Sequence, residues 1–134
     1  MPNHEGAAIR IAGEESGDDA GFSVSEIGDL NADGIDDFVI GAPEYGTGGG
    51  RAYVVFGSES GLVDFNLRNL GTRGFAISGG DRDSLGQSVS SAGDVNGDGI
   101  DDLIVGAAAG RGGKAYVLFG HAGDFDDLDL DNLG

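Results

Sequence analysis

Apolar residues along this chain come in brief runs separated by turn formers. Phe38-Val39-Ile40 and Tyr53-Val54-Val55-Phe56 are β-branched or aromatic throughout, and each is bounded by glycine or acidic residues. Runs of that length and type predict strands rather than helices. Strand two of the pattern, Phe38–Ala42 and again Leu103–Ala107, is apolar on consecutive positions. This predicts burial on both faces, because a half-exposed strand would alternate.

The runs recur. Residues 21–29 align with 86–94 at a shift of 94 − 29 = 65, and the match continues through Asn31/Asn96, Asp33/Asp98, Gly34/Gly99, Ile35/Ile100, Asp37/Asp102, Gly41/Gly106 and Ala42/Ala107. The next loop is two residues shorter in the second copy. The pattern then resumes as Arg51–Gly57 against Lys114–Gly120 and closes as Phe65–Gly71 against Leu128–Gly134. Each copy reads as short strands: Ser23–Ile27 or Ser88–Ala92, Phe38–Ala42 or Leu103–Ala107, and Ala52–Phe56 or Ala115–Phe119. Phe75–Ser78 follows, with Ile9–Ala12 as its counterpart. Phe65–Leu70 is expected to be loop or a short helical turn. The units are a tail at 1–8, a first repeat at 9–79 led by the strand at 9–12, and a second repeat at 80–134.

The leading strand precedes the first full unit, and the sequence reaches Gly134 before a second strand four. Two four-stranded sheets alone would expose large apolar faces. The expected fold is therefore all-β, two four-stranded antiparallel β-propeller blades. The ring is completed by oligomerisation, with the N-terminal strand exchanged between neighbouring chains. Two blades per chain favour a homo-oligomer with an even blade count, a trimer or a tetramer. The alternative is a fragment of a longer protein or an isolated repeat unit.

Composition narrows the partners. With 28 glycines and two prolines the chain suits many tight turns. Its 24 acidic residues against 7 basic ones give a net charge of −17. Such a surface repels phosphate backbones and anionic lipid, which argues against nucleic acid and membrane partners. There is no cysteine, hence neither disulfide nor thiolate metal site. No apolar run reaches transmembrane length and residues 1–5 have no apolar signal core, so a signal lies outside this sequence or there is none.

Part of the acidity is ordered. Asp29-Leu30-Asn31-Ala32-Asp33-Gly34-Ile35-Asp36-Asp37 and Asp94-Val95-Asn96-Gly97-Asp98-Gly99-Ile100-Asp101-Asp102 both place oxygen side chains at positions 1, 3, 5 and 9. Hard calcium takes about six to eight oxygens at flexible angles. Glycine at position 6 allows the sharp turn that aims the position 7 carbonyl, Ile35 or Ile100, at an ion. The expected ligands are Asp29, Asn31, Asp33, Ile35 and Asp37 in one loop and Asp94, Asn96, Asp98, Ile100 and Asp102 in the other, two Ca2+ per chain. An EF-hand would need an acid at position 12, where Ile40 and Val105 stand here. The ion is thus expected to clamp a hairpin, with a structural role and a dissociation constant on the order of 10⁻⁴–10⁻³ M. Asp36 and Asp101 are expected to face solvent.

Leu85-Gly86, the Asp94–Asp102 loop and Gly106-Ala107-Ala108, with Ala20-Gly21, Asp29–Asp37 and Gly41-Ala42-Pro43 in the first copy, resemble the FG-GAP repeat of integrin α-subunit propellers. The likeness is greatest to bacterial secreted or surface versions. The resemblance implies a β-propeller with calcium in the strand one to two hairpins. It implies adhesion or ligand recognition rather than catalysis, and a secreted or cell-surface location. The chain departs from the motif at Ala20 and Leu85, where the family has Phe, and at Ala108, where it has Pro.

An enzyme is not expected: each clustered carboxylate has a metal-ligand role, and His4 and His121 sit in a tail and a glycine-bounded loop. A protein or glycan ligand would meet the loops at Glu14–Ala20, Asp81–Ser84, Glu44–Gly50 and Ala109–Gly113, with Tyr45, Arg82 and Arg111 as anchors. The rival reading is a non-binding scaffold that self-assembles.

Overall fold

A computed structural model of the chain describes residues 8–109 and 112–132. Ten strands carry the fold: β1 (Ile11–Ala12), β2 (Ser23–Gly28), β3 (Asp37–Ala42), β4 (Arg51–Val55), β5 (Phe65–Asn66), β6 (Gly74–Ser78), β7 (Leu85–Gly93), β8 (Asp102–Ala107), β9 (Lys114–Leu118) and β10 (Leu128–Asp129). Among the described residues there is no α-helix, only 3-10 turns at Leu67–Asn69, Gly71–Arg73 and Leu130–Asn132.

The first repeat forms the expected four-stranded antiparallel sheet, β2-β3-β4-β6, with Val39 opposite Val54 and Val54 opposite Phe75. The second repeat gives three strands, β7-β8-β9, in the same order. Two short pairings were not legible in advance. β10 joins the outer edge of β6 in parallel, Leu128 opposite Ile77, and so stitches the second repeat to the first sheet. β1 lies parallel to β5, Ile11 opposite Phe65, in the same relation one repeat earlier. The leading strand thus has a partner on one side within its own chain. Phe65–Leu70 contains the expected short helical turn, led by a strand that was not expected. It is a two-residue strand followed by a 3-10 turn, with Asn66 Oδ1 accepting from Arg68 N at 2.8 Å and Leu67 and Leu70 buried.

The first sheet is apolar on both faces, as strand two predicted. One face carries Val39, Val54, Phe75 and Ile77, and packs on Leu103, Val105 and Leu130 of the second repeat. The other carries Ile40, Tyr53, Val55 and Leu67, and packs on Ile11 and Ala20. Repeat equivalence explains this pairing of faces. Val105, Tyr116, Leu118 and Leu130 in the first cluster occupy the positions of Ile40, Tyr53, Val55 and Leu67 in the second. Each repeat therefore presents the same front face to whatever precedes it. At roughly 1.5–3 kcal/mol per fully buried aliphatic or aromatic side chain, these faces dominate the stability of the chain.

Candidate metal centre

Both acidic loops connect the first two strands of a repeat and share one hydrogen-bond scheme. Asp29 takes Asp33 N on Oδ1 at 3.0 Å and Gly34 N on Oδ2 at 2.7 Å, and Asp33 Oδ1 takes Ile35 N at 2.9 Å. The second loop repeats this with Asp94, which takes Asp98 N at 3.1 Å and Gly99 N at 2.7 Å, and with Asp98, which takes Ile100 N at 3.0 Å. The N–H of Gly99, chiefly, holds the Asp94 carboxyl below its ordinary range. Backbone amides thus curl each loop around inward-turned carboxylates before any ion is considered.

Position 9 does more than sequence reasoning assigned to it. Asp37 is fully buried and spans the sheet, taking Leu30 N at 2.8 Å and Gly57 N at 3.0 Å. Asp102 does the same with Val95 N and Gly120 N, both at 2.8 Å. This accounts for the glycine after strand three in both copies: a Cβ at Gly57 or Gly120 would collide with the carbonyl of Asp36 or Asp101. The signal was present in the aligned Phe56-Gly57 and Phe119-Gly120, but their role needs the tertiary fold.

Asp101 corrects an expectation. Asp36 is exposed as predicted, whereas Asp101 is half-buried and its Oδ2 takes Asp29 N at 3.0 Å. It lies so close over Gly28 that any side chain there would meet it. His121 N also donates to Leu30 O at 3.0 Å. The second loop therefore braces the first. The His121 ring is exposed as expected, though stacked on Phe125 at 3.9 Å between centroids; His4 lies outside the described residues.

In the first loop the Asn31 amide stands between Asp29 Oδ1 and Asp33 Oδ1. Turned nitrogen-inward, the amide would donate to Asp29 Oδ1 at 3.1 Å and Asp33 Oδ1 at 3.0 Å. Turned oxygen-inward, it leaves three oxygens converging with no donor between them, an arrangement that a cation satisfies. Among the described residues no three Asp, Glu or His side chains stand in metal-holding geometry, so an ion here would need this amide as well. A bound ion would crosslink the hairpin through Asp29, Asn31 and Asp33, with the Ile35 carbonyl and Asp37 as the remaining expected donors.

Burial, reinforced by the charges of Asp33 and Asp29 and opposed by the Gly57 and Leu30 amides, pushes the Asp37 carboxyl up from 3.8 to about 6. Between those values the folded chain holds a proton that the unfolded chain has released. Ionising Asp37 therefore costs stability as pH rises from about 4 to 6. In calcium-free protein, the urea-midpoint difference between wild type and Asp37→Asn is expected to shift against wild type across that window. A pH-independent difference would contradict this.

A model of the FG-GAP repeat matches residues 23–55 and 85–118, each spanning the hairpin, its loop and strand three. The chain belongs to the FG-GAP repeat family. Among curated FG-GAP relatives it is 35% identical over 118 residues to integrin alpha pat-2 of Caenorhabditis elegans, covering 87% of this chain and 9% of that protein. It is 33% identical over 140 residues to human integrin alpha-6, covering 90% and 12%. It is 39% identical over 105 residues to the phosphatidylinositol-glycan-specific phospholipase D of Mus musculus, covering 69% and 12%. The chain thus spans about a tenth of the length of these relatives. The all-β sheets described above are those of FG-GAP blades.

Of the loops expected to form a recognition face, Glu44–Gly50 and Asp81–Ser84 meet, while Ala109–Gly113 lies partly outside the described residues. Ser84 N donates to Gly48 O at 2.9 Å, and Thr47 Oγ1 lies 3.2 Å from Asp81 Oδ1. Tyr45, however, lies half-buried under the Arg51 guanidinium, 4.1 Å from ring centroid to Cζ. Arg82 is exposed, and Arg111 lies outside the described residues.

Proposed function

We propose that this chain is a calcium-stiffened pair of FG-GAP propeller blades serving adhesion or ligand recognition outside the cell, as a secreted or cell-surface module. The observation that carries the reading is the backbone scheme shared by the two loops, in which Asp29 and Asp94 each accept two loop amides and Asp33 and Asp98 a third, so that side-chain oxygens at alternate positions are curled into one turn. Similarity to integrin α-subunits supports the adhesive role. Two Ca2+ per chain would pin the hairpin register in each blade. Chains would close into a trimeric or tetrameric ring by exchanging the Ile9–Ala12 strand. The ligand, protein or glycan, would meet the loop end around Arg82. The reading assigns no catalysis, since the clustered carboxylates are committed to backbone amides and, on this reading, to the ion.

The engagement of Tyr45 with Arg51 favours a second reading, a non-binding scaffold, because it removes the only aromatic side chain from the gathered loops. A glycan and protein array separates the two.

Calcium is tested by thermal or urea unfolding with chelator and with the ion. At about 10 mM calcium and a dissociation constant of 10⁻⁴–10⁻³ M, each site is expected to add roughly 1.4–2.7 kcal/mol. The Asp33→Ala and Asp98→Ala variants should each lose one increment. Identical unfolding in calcium and in chelator would sink the reading.

A further inference from the structure

The two repeats share a sequence pattern, yet equivalent residues have opposite environments. On the rear face, Leu30 and Val54 are fully buried, whereas their counterparts Val95 and Val117 are 54% and 43% exposed. Phe56 packs in the core between the repeats, while its counterpart Phe119 is half exposed. On the front face the inequality reverses. Val89 packs on the first sheet, while its counterpart Val24 is 65% exposed. The second repeat thus has an uncovered rear, and the first repeat a partly uncovered front. These are the two surfaces that meet inside the chain where β3 and β4 pack on the second repeat.

The edges match as well. β4 is paired on its outer side by β6, whereas the outer side of β9 has no strand among the described residues. Beside it lies an apolar groove of about 220 Å³, lined by Tyr116, Val117, Leu118, Phe119 and Leu128. That is larger than the roughly 150 Å³ aliphatic cavity that stays dry and takes a benzene-sized ligand. Residues 9–12 hold the repeat position of 75–78, the residues that pair with β4. Among the described residues β1 is paired only with β5.

We propose that the rear of the second repeat and the open edge of β9 are a docking surface for the first repeat of a second copy of this chain, a deepening that rests on the ring-closing part of the reading above. β1 of the incoming copy takes the antiparallel place that β6 has on β4. By the register of Val54 with Phe75 and Ala52 with Ile77, Ile9 stands opposite Val117 and Ile11 opposite Ala115. Tyr116 then receives Arg10, whose aliphatic stem lies along the groove. Val24 of the incoming front face covers Val117 and Phe119, and the segment after its β4 caps Val95 as His121 caps Leu30. The contact is head-to-tail, so each copy uses both surfaces, and association either closes into a ring or propagates. A net charge of −17 per chain opposes it, so association strengthens with salt.

The test is sedimentation equilibrium of the 134-residue chain from micromolar to millimolar concentration at physiological salt, with calcium and with chelator. Mass is expected to rise to a closed multiple of the chain. Val117→Asp is expected to remain monomeric with an unchanged circular dichroism spectrum. The natural chain has no cysteine, so an Ile9→Cys, Val117→Cys double variant should give a disulfide-linked ladder under oxidation, while either single variant gives none. Monomer at millimolar concentration would overturn the proposal, the face then belonging to a different partner. So would cross-linking of Val117→Cys alone, which requires a symmetric contact. Calorimetric calcium binding on the same samples separates the two readings. A monomer that binds two ions removes only this inference, and an assembling chain that binds none removes only the calcium reading.

Discussion

Replacing Asp37 by alanine is expected to destabilise the chain by roughly 1–5 kcal/mol even when calcium is absent, because one buried and one part-buried N–H donor lose their acceptor, at about 1–3 kcal/mol for the buried one and less for the other. The donors are Leu30 N and Gly57 N, which follow β2 and β4, the two strands flanking β3. The low end of the range is expected above pH 6, where the ionised carboxylate already carries the penalty of its own burial. Urea midpoints in chelator give the measurement, with exposed Asp36→Ala as a control expected to stay within about 0.5 kcal/mol. If the Asp37→Ala loss appeared only in calcium, Asp37 would be an ion ligand with no structural role of its own. In calcium the loss should grow, since one ion site goes with it.

The second large effect is an asymmetry. Leu30→Ala should cost roughly 2–5 kcal/mol, the range for truncating a buried leucine. Alanine at the same repeat position, Val95→Ala, should fall within about 0.5 kcal/mol in dilute protein. Leu30 is fully buried between the two repeats, and Val95 is 54% exposed. Both sit at position 2 of their loops and both N–H groups bond the position 9 carboxylate. The difference therefore isolates packing from loop geometry. Equal costs would contradict the packing order described here.

The strands that were legible are those whose pattern is local. Consecutive apolar residues at Phe38–Ala42 and Leu103–Ala107 placed β3 and β8 to within a residue, because burial on both faces leaves no polar position to confuse the period. The hairpin position and inward curl of the acidic loops were legible too, since alternate oxygens and a position 6 glycine are a pattern of spacing alone. What escaped were interactions between repeats. β10 is two residues long, and nothing in Leu128-Asp129 announces that it bonds to β6 fifty residues earlier. Asp101 and Asp36 are the same residue at the same loop position, so no reading of the sequence could send one inward and leave the other in water. Only the neighbour decides: Asp101 has Gly28 and Asp29 beside it.

The parallel pair of β10 on β6 has a bearing on how such a chain comes apart. Leu128 and Asp129 belong to the second repeat, yet their backbone bonds belong to the first sheet, and Asp127 adds another by accepting from Ala76 N at 2.8 Å. Neither unit can fray by itself without tearing bonds out of its neighbour. A chain linked this way melts as one cooperative body rather than as beads on a string. Tension applied along it is met by both sheets together.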